Sequence, residues 1–159
     1  MDTRDIPSVH EYTDAWQWPE SVERFIREQL PRDEDARVLN VPAGSSRLGD
    51  VLVDAEPQSE DIEEGDMMDL DLPPAEFDAV ISDPPWRGMD YFDRWKQFYQ
   101  LCRVTKPGGL IVYNAPWEPA SDQCEVVSRH RRADHPFGEI SQITVFRRYP
   151  GQQTWADFD

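Results

Sequence analysis

The chain has 159 residues and a formal net charge of −16, with 32 acidic against 16 basic residues. A chain of that length can form one hydrophobic core and is too short for two domains that each have a core of ordinary size. Two cysteines without CxxC spacing exclude a disulfide framework, three scattered histidines predict no metal site, and the absence of a long apolar run or signal core predicts a cytoplasmic protein without membrane contact.

The first predicted elements are a helix and a strand followed by small residues. A helix begins near Glu20 and ends before Pro31, because its apolar residues fall on one face. A short strand over 37–41 comes next. The loop after it contains Pro42, Ala43, Gly44 and Ser45. A strand followed by small residues is typical of a ligand-binding loop.

Three further strands follow in the middle of the chain. Residues 51–54 predict a second strand that ends at Asp54, and residues 63–68 predict a weaker third strand. A fourth strand, 77–82, leads directly into the tetrapeptide Asp83-Pro84-Pro85-Trp86. Strand ends of this kind are where α/β proteins bind their ligands.

A helix is predicted over 91–105, where apolar residues recur at a helical period. These residues are Tyr91, Trp95, Phe98, Tyr99 and Cys102. We expect the aromatic residues to lie mostly in the core, the alternative being a binding stripe. The turn Lys106-Pro107-Gly108-Gly109 ends the helix.

The last predicted elements are a strand over 110–115 and a final strand pair over 125–131 and 140–148. The alternation of strands and helices predicts one α/β domain over 1–150, with a helical cap over 1–36, a core over 37–149 and a tail over 151–159. The connections 45–50 and 116–123 are too short for ordinary crossover helices, so we expect shortened crossovers.

The tetrapeptide also predicts a chemistry. The Asp83 carboxylate and the Pro84 carbonyl only accept hydrogen bonds, so together they can hold both N–H groups of an exocyclic amine. Trp86 offers a flat face for the ring that bears the amine. Such a clamp would aim the amine lone pair at an electrophile, which indicates amine alkylation. The alternative is a proline stop after a buried strand.

Asn40 to Ser45, followed by Asp83-Pro84-Pro85-Trp86, resembles the class I S-adenosylmethionine-dependent methyltransferases. Within that class the chain resembles the amino-methyltransferases of adenine N6 or cytosine N4 in DNA. The resemblance implies a three-layer Rossmann-like sheet, mostly parallel, with an antiparallel strand near the carboxyl terminus. It also implies that Asp83, Pro84, Pro85 and Trp86 are catalytic.

The resemblance further implies which residues bind S-adenosylmethionine. The segment Asn40, Pro42, Ala43, Gly44 and Ser45 would approach the methionine part, Asp54 would bind the ribose hydroxyls, and Asp66 with the Met67 backbone would read the adenine. Asn40 and Ser46 depart from the family pattern, in which an acidic residue and a glycine are common at these positions.

The implied partner is nucleic acid, with DNA favoured over RNA. The segment with Arg129, Arg131 and Arg132 is the best contact candidate, and its alternative is a charged edge strand. Because the chain has no room for a separate target-recognition domain, specificity would come from local loops, this segment, a dimer partner or another subunit. Acidic residues spread over the whole chain resemble halophile proteins.

Adenine N6 of DNA is therefore the favoured methyl acceptor. Two alternatives stay open: a methyltransferase for a protein or small-molecule amine, and a non-catalytic partner subunit that keeps the fold.

Overall fold

One mixed sheet organises the molecule. The computed structural model describes residues 6–7, 20–44, 46–85, 88–133 and 141–150. Within these residues the elements are β1 (Ile6–Pro7), α1 (Glu20–Gln29), β2 (Val38–Asn40), β3 (Val51–Asp54), β4 (Glu63–Glu64), β5 (Phe77–Ser82), α2 (Tyr91–Val104), β6 (Thr105–Ala115), β7 (Cys124–Ala133) and β8 (Ser141–Arg148).

The strands form one sheet in the order β1-β7-β8-β6-β5-β2-β3-β4. Every neighbouring pair is parallel except the two pairs that involve β8, which runs antiparallel to β6 and β7. The predicted α/β class is therefore confirmed, as is the mostly parallel sheet with an antiparallel strand near the carboxyl terminus.

In the part of the chain that the structure describes, one helix packs on each face of the sheet. Alternate residues of the central strands point to opposite faces, so Val38, Ala79 and Ile81 pack with α1, whereas Leu39 and Val80 lie in the core cluster on the α2 face. Because both faces are buried, β5 and β6 have the continuous apolar runs expected of central parallel strands. The predicted three-layer arrangement is confirmed.

Local sequence explains the limits of α2. Asp90 accepts a hydrogen bond from the Asp93 N–H at 2.8 Å, and the Asp93 side chain accepts one from the Asp90 N–H at 3.2 Å, which completes a capping box. At the other end, the Thr105 hydroxyl donates to the Leu101 carbonyl at 2.7 Å.

No described helix is long and apolar enough to cross a membrane.

The predicted connections and strand limits agree with the structure in part. Within the described residues, neither the connection from β2 to β3 nor segment 116–123 contains a helix, as expected from their length. The third strand is only Glu63–Glu64. Strand β6 begins earlier than predicted, at Thr105, which pairs with Phe77. It passes so close to β5 that a Cβ on Gly109 would lie 2.9 Å from the Asp78 carbonyl oxygen.

Candidate active site

Between β2 and β5 the chain changes the direction in which it adds strands to the sheet, and we call this point the strand reversal. Ligands of open α/β sheets bind at such a point, outside the carboxyl ends of the strands. Just after β2, the N–H of Val41 donates to the carbonyl of Ile81 in β5 at 3.0 Å. The ends of these two strands therefore lie side by side. The segments that follow them, 41–44 and 83–85, open at the same edge of the sheet.

Asp54, at the end of β3, fastens the loop that follows β2. One carboxylate oxygen accepts a hydrogen bond from the Gly44 N–H at 2.8 Å, and the other accepts one from the Glu56 N–H at 3.0 Å. Gly44 has a φ of 57°, in the left-handed region that suits glycine. The structure thus brings two of the predicted cofactor residues, Gly44 and Asp54, into direct contact. Ser45 lies outside the described residues.

Asn40 supports the same loop from inside the protein. Its side chain is buried, and its amide donates to the Ser46 hydroxyl at 3.1 Å and to the Leu48 carbonyl at 3.1 Å. The Ser46 hydroxyl also accepts from the Leu48 N–H at 3.2 Å. Both Asn40 amide hydrogens are therefore used within the protein. Asn40 and Ser46 thus form one structural pair.

Asp66 and Met67 lie beyond the edge strand β4. Asp66 is exposed, and its side chain accepts a hydrogen bond from the Met68 N–H at 2.8 Å. Met67 is half-buried and packs against the core cluster on the α2 face. In sheet order, β4 lies three strands away from β5, so Asp66 follows a strand on the β2 side of the strand reversal and lies apart from Asp83.

Residues 83–85 follow directly after β5, and we call this segment the acceptor loop. Asp83 is half-buried, Pro84 is buried and Pro85 is exposed. The Asn114 amide of β6 donates to an Asp83 carboxylate oxygen at 3.1 Å. One local signal marks this partner in the sequence, because Asn114 is the polar residue in the otherwise apolar run near the end of β6. Trp86 lies outside the described residues.

Arg132 provides a buried positive charge near this loop. It lies at the carboxyl end of β7 and is 5% exposed. Burial lowers the pKa of its guanidinium from the ordinary value, and the negative charge of Asp83 opposes that shift. Its Nε is buried and has no hydrogen-bond partner among the described residues. Arg132 thus provides a buried positive charge that interacts with Asp83.

The other residues of the basic segment differ from one another in exposure and pairing. Arg129 pairs with Glu118, with Nε donating to Oε1 at 2.6 Å. His130 is fully buried against the Phe25 ring. Arg131 is exposed. The predicted contact set therefore has one exposed arginine, one paired arginine and one buried arginine. Alternation along β7 is the physical reason, because it turns successive side chains to opposite faces.

A buried polar network supports the acceptor loop from the α2 face. The Gln97 amide donates to the Ser82 hydroxyl at 2.9 Å and accepts from the Tyr113 hydroxyl at 3.1 Å. Trp117 Nε1 donates to the Tyr113 hydroxyl at 3.1 Å, and the Arg94 guanidinium lies 4.0 Å from the centre of the Trp117 ring. Burial raises the pKa of Tyr113 above its usual range, so the phenol stays protonated.

A cavity of about 530 Å³ lies at the opposite edge of the sheet. It is lined by residues that include Asp33, Asp78 and Lys106, and the last two form an ion pair at 3.3 Å. This cavity is not the candidate site, because the candidate residues converge at the carboxyl ends of the strands, at the strand reversal.

Comparison with known proteins identifies the fold. No protein-family model and no curated protein sequence matches the chain. A 1,6-didemethyltoxoflavin-N1-methyltransferase from Burkholderia thailandensis, solved with bound S-adenosylhomocysteine, matches with a TM-score of 0.59 and 14% identity over 80% of this chain and 76% of that one. The chain has a methyltransferase fold.

Two other solved structures show how widely this methyltransferase fold is used. A chain from the complex of the Haloferax volcanii Trm112 methyltransferase activator with a methyltransferase candidate matches with a TM-score of 0.56 and 13% identity, covering 83% of this chain and 90% of that one. The [4+2]-cyclase SpnF matches with a TM-score of 0.62 and 12% identity, covering 95% and 88%. Because the fold serves different reactions, the activity has to be argued from the site.

Proposed function

We propose that the chain is an S-adenosylmethionine-dependent methyltransferase that acts on an exocyclic amino group of a nucleic-acid base, with adenine N6 of DNA favoured. The observation that carries this proposal is the position of Asp83 and Pro84. They lie directly after β5, at the strand reversal, beside the loop after β2. This arrangement places two hydrogen-bond acceptors for an amine next to a loop suited to a nucleotide-like cofactor.

The acceptor side would orient the amine. An ionised carboxylate has about four lone-pair sites, so Asp83 can accept the bond from Asn114 and a further bond from a substrate N–H. The Pro84 carbonyl accepts the second N–H. These two bonds turn the nitrogen lone pair out of conjugation with the ring and fix its direction. The amine then needs no general base before the transfer, because its proton becomes acidic once the nitrogen has been methylated.

Arg132 would stabilise the acceptor side electrostatically. Its buried guanidinium cannot lose its proton in a protein and provides a fixed positive charge near Asp83. A charge in a poorly hydrated position acts more strongly than one at the surface. We therefore assign Arg132 as a residue that positions Asp83 and balances its charge.

The residues on the donor side fit the cofactor. S-adenosylmethionine, when bound, supplies an electrophilic methyl group on a sulfonium. The Asp54 carboxylate has the acceptor chemistry that ribose hydroxyls require and retains lone pairs beyond its two backbone bonds. Pro42, Ala43 and Gly44 offer backbone groups without long side chains. Asp66, with the Met67 backbone, has acceptor and donor groups for an adenine edge.

The proposal is tested by methyl transfer from labelled S-adenosylmethionine in molar potassium chloride. Single-stranded DNA, duplex DNA and RNA serve as acceptors, and digestion to nucleosides identifies the product. Label in N6-methyladenosine or its deoxy form supports the proposal, and the polymer that carries the label shows whether DNA or RNA is the substrate. Binding of cofactor without label in any nucleoside would refute nucleic acid as the acceptor, and absence of cofactor binding by calorimetry would indicate a non-catalytic subunit.

Asp83→Asn provides the matched variant. It keeps the shape of the side chain but replaces one acceptor oxygen with a donor, so transfer is expected to fall by about a hundredfold or more. Cofactor affinity is expected to stay unchanged, because Asp83 lies on the acceptor side. Asp35→Asn, an exposed change at the opposite edge of the sheet, is the control. An Asp83→Asn variant with undiminished transfer would show that the clamp is elsewhere.

A small heteroaromatic amine is the second candidate acceptor. The basic segment favours this candidate because Arg129 is paired with Glu118 and Arg132 is buried, which reduces the positive charge available to the phosphate groups of a polymer. Free adenosine, cytidine and a heteroaromatic amine in the same assay separate the two acceptors. If a polymer is the substrate, we propose that a dimer partner or separate subunit helps choose the sequence, in line with the Haloferax volcanii complex.

A further inference from the structure

Helix α2 carries an exposed aromatic face that the fold does not use. Tyr91 and Phe92 are each 76% exposed, Trp95 is 59% exposed and Tyr99 is 47% exposed. Of the aromatic residues predicted to lie mostly in the core, Phe98 is buried, whereas the prediction is wrong for Tyr91, Trp95 and Tyr99. Exposed apolar patches on monomeric proteins commonly mark interaction sites.

The helix has a separate face for its packing on the sheet. Gln97, Phe98, Leu101, Cys102 and Val104 are buried there. Folding of α2 therefore needs none of the four exposed aromatic residues. Their rings are already arranged in pairs: Trp95 and Tyr99 stack with 6.3 Å between ring centres, and Tyr91 and Phe92 meet edge to face at 6.2 Å. We call these four residues the α2 aromatic face.

The charge of α2 is opposite to that of the chain. The helix contains Arg94, Lys96 and Arg103 against one acidic residue, Asp93, whose carboxylate is engaged in the capping box. Lys96 is exposed among the aromatic residues and is one of two lysines in a chain of net charge −16. Arg103 donates to the Leu70 and Leu72 carbonyls and Arg94 lies over the Trp117 ring, so Lys96 provides the positive charge beside the aromatic residues. Aromatic rings next to a lysine fit a partner with flat rings and negative charge. A second copy of this acidic chain fits less well.

The α2 aromatic face begins beside the acceptor loop. Near the first turn of α2, the Arg94 guanidinium lies over the Trp117 ring, which is bonded to Tyr113 of the network under Ser82. Tyr91, Trp95 and Tyr99 follow one another at one-turn intervals, so they span about 12 Å along the helix axis. Rings about 6 Å apart along the helix can each stack on a base of a single strand, because base–aromatic stacking tolerates every base.

We propose that the α2 aromatic face is a stacking platform for single-stranded nucleic acid that leads into the acceptor site. This inference rests on the proposed nucleic-acid function and names the surface that holds the polymer beside the target base. Base–aromatic stacking is tolerant of sequence and is not an interaction between charges, so it persists in high salt, where phosphate contacts weaken. It therefore does not depend on the basic segment of β7, in which Arg129 is paired with Glu118 and Arg132 is buried.

Fluorescence anisotropy of a labelled 12-nucleotide single-stranded DNA in molar potassium chloride tests the proposal. Trp95→Ala and Tyr99→Ala are each expected to weaken binding about tenfold, while Trp95→Phe is expected to keep most of the affinity. Tyr149→Ala is the matched control, because Tyr149 is 40% exposed and lies outside α2. The same sequence as RNA and as duplex DNA forms the other arms, and the duplex is expected to bind more weakly.

Three outcomes would overturn the proposal: no binding by the unmodified protein, equal affinity of the Trp95→Ala variant, or a dimer in sedimentation that Trp95→Ala dissociates. The last result would assign the face to a second copy of the chain. Methyl transfer to the same oligonucleotide separates this inference from the proposed function. Transfer together with unchanged affinity of Trp95→Ala would refute only the platform, and loss of affinity without any transfer would refute only the reaction.

Discussion

Replacing Gln97 with leucine is expected to destabilise the protein by about 2–4 kcal/mol. Gln97 is fully buried, and its amide is bonded to the buried hydroxyls of Ser82 and Tyr113. Leucine fills a similar volume but leaves Ser82 without its donor and Tyr113 without its acceptor. Each buried polar group that loses its partner costs about 1–3 kcal/mol, and the added apolar contact of leucine offsets part of the sum.

Urea unfolding of the two proteins, followed by circular dichroism, measures this loss. With a slope of about 2 kcal/mol per molar urea, the midpoint is expected to fall by about 1–2 M at an unchanged slope. Because Ser82 directly precedes Asp83, the variant is also expected to lose methyl transfer more than cofactor affinity. The loss of activity would show that the network holds the acceptor loop in place.

A triple variant supplies the decisive control. Ser82→Ala, Gln97→Leu and Tyr113→Phe together remove both the amide and the two hydroxyls that depend on it. The triple variant leaves no partner of the Gln97 amide unsatisfied, although the half-buried Trp117 N–H loses its acceptor when Tyr113 becomes phenylalanine. Removing the bonded groups together is expected to be less costly than removing one of them, so the triple variant should recover part of the lost stability. A Gln97→Leu cost below about 0.5 kcal/mol, or a triple variant no more stable than the single one, would refute the reasoning.

Asp54→Asn is expected to weaken S-adenosylmethionine binding by about tenfold or more, because it removes both the charge and one acceptor from the loop at Gly44. Titration calorimetry measures the change in affinity. An unchanged affinity would show that Asp54 is not part of the cofactor site. The Arg37 N–H lowers the pKa of Asp78 below its ordinary 3.8, so Asp78 stabilises the fold above that pH and the contribution is lost as the pH falls through the lowered value. Asp78→Asn should therefore be less stable than the unmodified protein at pH 7 and converge with it as the pH falls through the lowered pKa. Unfolding midpoints that differ equally at every pH would contradict this.

Most of the fold follows from patterns within short segments. Continuous apolar runs predict β5 and the later part of β6 because both faces of these strands are buried. The loop after β2 and Asp83 were predictable for a related reason, since small or acidic residues at strand ends are local signals. The absence of a crossover helix between β2 and β3 follows from the length of the connection alone.

The partners of the site depend on contacts between distant segments. Asn114 meets Asp83 across 31 positions of sequence, through the pairing of β5 with β6. Arg132 is buried because of its place in the register of β7, which no local pattern reveals. The aromatic residues of α2 were misassigned for a different reason. Tyr91, Trp95 and Tyr99 share a helical period, and so does the buried face, on which Gln97 interrupts the apolar pattern.

The two edges of the sheet have separate uses for the experimenter. The candidate cofactor and acceptor groups lie at the carboxyl ends of the strands, whereas the turn with Asp35 precedes β2 at the other edge. Both native thiols, Cys102 and Cys124, are buried. A thiol-reactive dye would therefore label an Asp35→Cys variant selectively at position 35, in the turn before β2. The protein can be immobilised or tracked from that point while its front edge stays open to nucleotides and oligonucleotides.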